Sequence, residues 1–252
     1  MLMMNRLSDR IVGHYERHAT AWDADRAGSA WNDKPWHDRF VAMLPKGASI
    51  LDLGCGSGSP VARHMAAQGL KITGVDSSPT LISLCRSRLP DHEWIVGDMR
   101  RLSLGRSFQG ILAWDSFFHL NYDDQRNMFD VFARHAGPSA VLMFNAGPGH
   151  GEAIGSYRGD PLYHASLAPA EYAELLAGIG FKIVAHVAED AQAGGRTVWL
   201  AHDAEHDGPD FRMRECRQLR LRLGLWRPRL GLRPGFGRVW LWLRLRLCRA
   251  RL

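Results

Sequence analysis

Ile50-Leu51-Asp52-Leu53-Gly54-Cys55-Gly56-Ser57-Gly58-Ser59-Pro60 is the stretch on which the reading of this chain turns. Three apolar residues and one acid run straight into three glycines at every second position. A helical pattern, Val61 to Gln68, follows at once. The order is strand, tight turn, helix N-terminus. Such a turn presents bare backbone N–H groups and the positive end of a helix to a ligand. Glycine suits it because a Cβ would block close approach and because it adopts positive φ without strain.

Outward from this turn, strands and helices alternate. Strands are expected at Ala48–Leu53, Lys71–Val75, Glu93–Val96, Phe108–Ala113 and Ala140–Phe144. Helices are expected at Pro60–Gln68, Pro79–Arg88, with Ser77 or Ser78 as cap, and Tyr122–His135, with Asn121 as cap. A further helix, Pro169–Ala177, precedes two closing strands, Phe181–Val187 and Arg196–Ala201, antiparallel to each other. This pattern predicts an α/β fold with a mostly parallel sheet covered on both faces. Before the sheet, Asn5–His18 has helical apolar spacing, a polar link leads to Asp33, and Pro35 opens a second helix. Gly147 to Leu167 reads as a long loop leaving a strand's carboxyl end, a position that lines the ligand crevice of open α/β sheets.

The chain has 252 residues and a formal net charge of +6. That charge is local. Residues 208–252 hold 13 of the 32 basic residues and 2 of the 26 acids, so the remainder is mildly acidic. The ligand of the folded part is therefore not read from the overall charge. The domain organisation expected is 1–46 cap helices, 47–205 ligand-binding domain and 206–252 an Arg/Leu-rich tail without stable fold. That tail alternates apolar and basic residues at Leu241-Trp242-Leu243-Arg244-Leu245-Arg246-Leu247, open to two readings: a lipid- or nucleic-acid-binding arm, or an out-of-frame extension. Four cysteines without metal or disulfide spacing fit a reducing cytoplasm. The first ten residues do not read as a signal peptide, and no apolar run reaches membrane-spanning length.

The glycine turn has partners. Gly74-Val75-Asp76 ends the second strand with an acid about 20 residues on, placed to accept ribose hydroxyls, beside Ser77. Gly97-Asp98-Met99 ends the third, an acid for an exocyclic amine with an apolar wall. Trp114-Asp115-Ser116-Phe117-Phe118-His119 ends the fourth. In order and spacing these segments resemble the class I S-adenosylmethionine-dependent methyltransferases, small-molecule type, including those related to trans-aconitate methyltransferase. The resemblance covers roughly residues 5–203. It implies a Rossmann-like seven-stranded sheet with the last two strands antiparallel, and S-adenosylmethionine as cofactor. It further implies that Asp52 and the glycines Gly54, Gly56 and Gly58 hold the methionine part, Asp76 the ribose, and Asp98 with Met99 the adenine, with Cys55 and Ser77 also in the cofactor site. Asp115 would join the cofactor site and Tyr15 would be a lid residue.

Each residue also has a plain reading. Asp76 could cap a helix, Asp98 could pair with Arg100-Arg101, and Cys55 could be a small filler. Of 12 histidines, His119 is the candidate base or substrate orienter, and His150 and His164 are candidate substrate contacts. His14, His18, His37, His64 and His92 are given no role. No metal site is expected, since His202-x-x-x-His206 has helical-pair spacing but no third ligand. The function expected is methyl transfer by in-line displacement to an oxygen or nitrogen of a small molecule, a carboxylate among the candidates, in a monomer or homodimer with no nucleic-acid partner and no membrane partner unless the basic tail is functional. The alternatives are a non-catalytic S-adenosylmethionine binder or scaffold, and a nicotinamide-dependent oxidoreductase. Against the last, the pattern G-x-G-x-x-G would need glycine at Ser59, whereas it falls at Gly58.

Overall fold

The computed structural model describes residues 2–204. Two helices, α1 (Leu2–Gly28) and α2 (Lys34–Met43), come first. The alternating part follows as β1 (Ser49–Leu53), α3 (Val61–Ala67), β2 (Lys71–Asp76), α4 (Pro79–Arg88), β3 (Glu93–Val96) and β4 (Phe108–Ala113). Then come α5 (Tyr122–His135), β5 (Ala136–Ala146), β6 (Gly151–Tyr157), β7 (Asp160–Ser166), α6 (Pro169–Gly178), β8 (Phe181–Asp190) and β9 (Arg196–Asp203). Seven strands form one sheet in the order β3-β2-β1-β4-β5-β9-β8. The first five are parallel, and β9 runs antiparallel between β5 and β8. This is the Rossmann-like sheet the sequence predicts, with its antiparallel closing pair.

Period-two alternation feeds a core on each face. Leu51, Leu53, Leu142 and Phe144 point to one side, into a cluster with Phe117, Phe129, Phe132, Tyr172 and Trp199. Ile50, Val141 and Met143 point to the other, against Phe40 of α2, Met65 of α3 and Ile82 of α4. α2 thus shares its core with the sheet. Two caps form as the sequence suggests: Ser78 Oγ accepts from Leu81 N at 3.1 Å, and Asn121 Oδ1 from Asp124 N at 2.8 Å.

The structure corrects two expectations. The first helix does not end near His18 but continues to Gly28. Its later turns are tied down by tertiary partners: Asp23 takes both Arg88 guanidinium nitrogens at 2.6 Å, and Arg26 reaches Asp115 at 3.0 Å. The supposed long loop is a hairpin, β6–β7, closed by Arg158 and Gly159 with φ of 49° and 87°. Two successive positive φ values match the right-handed twist of paired strands. The β6 residues are almost all exposed, so no apolar alternation marks the strand. Residues 206–252, where the basic tail was placed, lie outside the described residues.

Candidate functional site

The parallel strands β1, β2, β3 and β4 end along one rim, and their carboxyl-terminal segments line a single pocket. From β1 come Asp52, Gly54, Cys55 and Gly56. From β2 come Asp76 and Ser77, from β3 Asp98 and Met99, and from β4 Asp115 and His119. α1 closes the other side with Ser8, Ile11, Val12, Tyr15, Trp22 and Arg26, a stripe at helical spacing. Gly58 lies behind the turn, where a Cβ would meet Cys85 Sγ at 3.3 Å.

The turn depends on glycine at two positions. Gly54 has φ +76°, and a Cβ there would lie 2.3 Å from Ser116 Cβ. Gly56 has φ +55°, and a Cβ would lie 2.8 Å from the Trp22 ring. Trp22 therefore lies directly against the backbone of the turn. Asp76 braces it: one oxygen accepts from Gly56 N and the other from Ser78 N, each at 2.9 Å. Its role at the head of α4 is thus real, while the cap itself is Ser78. The Cys55 thiol lies where a Cβ on Gly74 would come, 2.9 Å away, so it fills space against β2, and burial pushes its pKa up.

Electrostatics separate the four acids. Asp52 is 3% exposed, and no hydrogen bond or cation lowers the pKa of its carboxylate. Burial, aided by the nearby Asp76 carboxylate, raises its pKa to about 7. Burial raises Asp76 too, against its backbone donors. Burial would also raise Asp98, but Arg100 outweighs it and holds the carboxyl below its ordinary range. Arg100 donates to Asp98 through its backbone N at 3.0 Å and through its guanidinium at 2.6 Å, and also reaches Asp9 and Asp124. The plain ion-pair reading of Asp98 is therefore realised at the edge of the pocket.

Asp115 sits in a left-handed backbone conformation, φ 50°. Its carboxylate is fully engaged by protein. Arg196 of β9 grips both oxygens at 2.7 Å, Arg26 donates at 3.0 Å and Asn145 at 2.7 Å. Asn145 also accepts from Asp115 N at 2.8 Å. Despite burial, the guanidinium of Arg196 keeps this carboxyl below its usual range. Asp115 lines the pocket and at the same time anchors α1 and β9 to the end of β4.

His119 is 4% exposed. Its Nδ1 lies 2.8 Å from the Tyr163 carbonyl, which only accepts, so Nδ1 carries the proton. Nε2 then accepts from the Tyr15 hydroxyl at 2.7 Å. Burial, with help from His164, lowers its pKa to about 3. The neutral ring orients the Tyr15 hydroxyl. His164 packs 4.9 Å behind His119, and burial lowers its pKa. His150 stacks on Tyr122 at 4.6 Å. Neither is among the residues that line this pocket.

The sequence reading missed Trp22 and Arg26, whose signal was the i+3/i+4 stripe continuing past His18. It missed Arg196 and Asn145, for which no local pattern exists.

Replacing Arg196 by Met should lower stability by about 3 kcal/mol, the low end of the cost of stripping a partner from a buried charge pair. The deficit should shrink as pH falls, because Asp115 needs the cation only when ionised. Urea unfolding across pH measures both.

Residues 50–139 match the family model of a methyltransferase domain. The chain is 44% identical over 94 residues to a trans-aconitate 2-methyltransferase of Escherichia coli O139:H28, spanning 37% of this chain and 36% of that protein. It is 31% identical over 150 residues to a dTDP-4-amino-2,3,4,6-tetradeoxy-D-glucose N,N-dimethyltransferase of Saccharopolyspora spinosa, spanning 56% of this chain and 60% of that one. A solved 1,6-didemethyltoxoflavin-N1-methyltransferase from Burkholderia thailandensis shares the fold, with a TM-score of 0.63 at 17% identity over 79% of this chain and 90% of that one.

Proposed function

We propose that this chain, which carries a methyltransferase domain, binds S-adenosylmethionine under α1 and transfers its methyl group to a small acceptor. The observation that supports this most is the convergence of four strand ends on one pocket that holds an unpaired buried carboxylate, Asp52. A desolvated acid without a protein cation suits a ligand that brings its own. The amino group of S-adenosylmethionine would do so. The glycine turn offers backbone approach to the methionine part, Asp76 and Ser77 flank the ribose position, and Met99 offers an apolar wall to the adenine. The strand order also favours this reading over a nicotinamide enzyme, whose half-sheets are parallel throughout 3-2-1-4-5-6, without an antiparallel closing pair.

The cofactor supplies an electrophilic methyl on a good leaving group. The chain's contribution is to bring the reactants together, worth ~7–11 kcal/mol when alignment is good. Tyr15, held by His119, and Trp114 and Arg26 border the side of the pocket left for the acceptor. Two guanidinium groups, Arg26 and Arg196, face Asp115, and the buried Asp33 carboxylate also acts on Arg196, so these four charges balance. His119 is too weak a base to strip a proton. A ring this weakly basic favours an acceptor needing no deprotonation, such as a carboxylate.

A coupled S-adenosylhomocysteine-release assay over small carboxylates, phenols and amines tests this. Turnover of a carboxylate is expected, with kcat level across neutral pH and KM raised by Arg26→Ala. Binding of S-adenosylmethionine without turnover of any acceptor would favour the non-catalytic binder. Asp52 gives a second test. Its ionised form favours a cationic ligand, and the free protein holds it protonated below about pH 7. Affinity for S-adenosylmethionine should therefore fall as pH drops below 7, by up to about tenfold per unit. Titration calorimetry measures it, and Asp52→Asn should flatten the dependence.

A further inference from the structure

His14 and His18 stand one turn apart on α1, so both rings leave the same face. Asp160, the first residue of β7, meets them from the hairpin. His18 Nε2 donates to Asp160 Oδ2 at 2.9 Å, while His14 Nδ1 stays 3.9 Å from that oxygen, beyond hydrogen-bond reach. One donor atom from each of the three residues lies within 4.8 Å of the others. His14 is 2% exposed, and neither of its ring nitrogens has a hydrogen-bond partner. An imidazole buried with both nitrogens unmatched is costly and calls for a cause.

We propose that His14, His18 and Asp160 form a binding site for a divalent transition-metal ion of the zinc type, which ties α1 to the β6–β7 hairpin. Two imidazoles and a carboxylate are a donor set for zinc, and equally accept cobalt or nickel. The i, i+4 histidine pair on one helical face is the spacing that places two such nitrogens on one ion. Bonds of about 2.0–2.2 Å in a tetrahedron need donors about 3.4 Å apart, so small side-chain rotations close the set. The fourth position is left to water. Burial, reinforced by His18, keeps the His14 pKa below its ordinary value, which leaves the ring neutral with a free lone pair.

Arg17 is the counter-argument and part of the test. Its Nη2 and Nε donate to the same Asp160 oxygen at 2.8 Å and 3.3 Å. It occupies the role of the cation, and its side chain, 58% exposed, is free to swing into solvent when an ion binds. Tyr157 walls the site, its ring 5.9 Å from His14 and 5.6 Å from His18. The site is separate from the pocket, yet His14 adjoins Tyr15, so an ion here would fix the stretch of α1 that covers the pocket. No local pattern marks His14 and His18, because their third partner lies 142 residues beyond His18. The inference stands independently of methyl transfer.

The test is titration of the chelator-stripped full chain with cobalt(II), read by visible absorption, with zinc as competitor. One equivalent per chain should bind, with the spectrum of a low-coordinate nitrogen/oxygen site, and zinc should raise the Tm. The signal should vanish in His18→Gln, which changes a partly exposed residue and serves even if His14→Gln fails to fold. Arg17→Ala should tighten binding by removing the competing cation. No saturable signal, or one that persists in His18→Gln and Asp160→Asn, would overturn the proposal.

Discussion

The buried Asp115 carboxylate holds the working end of the molecule together. Three elements distant in sequence converge on it: Arg26 from α1, Asn145 from β5 and Arg196 from β9. A carboxylate taken out of water demands such partners, and losing one is far costlier than an exposed ion pair would suggest. Because Arg26 is among them, the same demand fixes α1 over the strand ends. Trp22 then rests on the glycine turn and Tyr15 reaches His119. The pocket thus exists as an enclosed space through an ion pair on its floor, while the glycines supply the shape.

The other acids use the same low-dielectric rim differently. Asp76 offsets its burial with backbone donors and keeps the turn in place. Asp98 is matched by Arg100. Asp52 alone has no hydrogen bond or cation that lowers the pKa of its carboxylate, which rises in consequence. Local stability is spent where a ligand can return it, a recurring property of binding sites.

The parallel core was legible because buried strands carry dense apolar runs and each turn is punctuated by glycine or a cap. Phe108–Ala113 and Tyr122–His135 fall where the pattern puts them. The rim residues Asp52, Asp76, Asp98 and Met99 were legible because strand ends are set by the same periodicity. What failed was tertiary. The continuation of α1 beyond His18 depends on Arg88 and Asp115, which no local spacing displays. The hairpin escaped because β6 is exposed and carries no alternation, and with it the stacking of His150 on Tyr122 and the packing of His164 on His119. The weak basicity of His119 follows from burial, which a motif cannot convey.

The central claim is that four strand ends and α1 enclose one cofactor. Hydrogen–deuterium exchange on the full chain, with and without S-adenosylhomocysteine, tests it most directly. The account predicts added protection in the segments around residues 52–58, 76–78 and 97–100 and along α1 from Ile11 to Arg26. Protection confined to other segments, or unchanged exchange at saturating ligand, would contradict it.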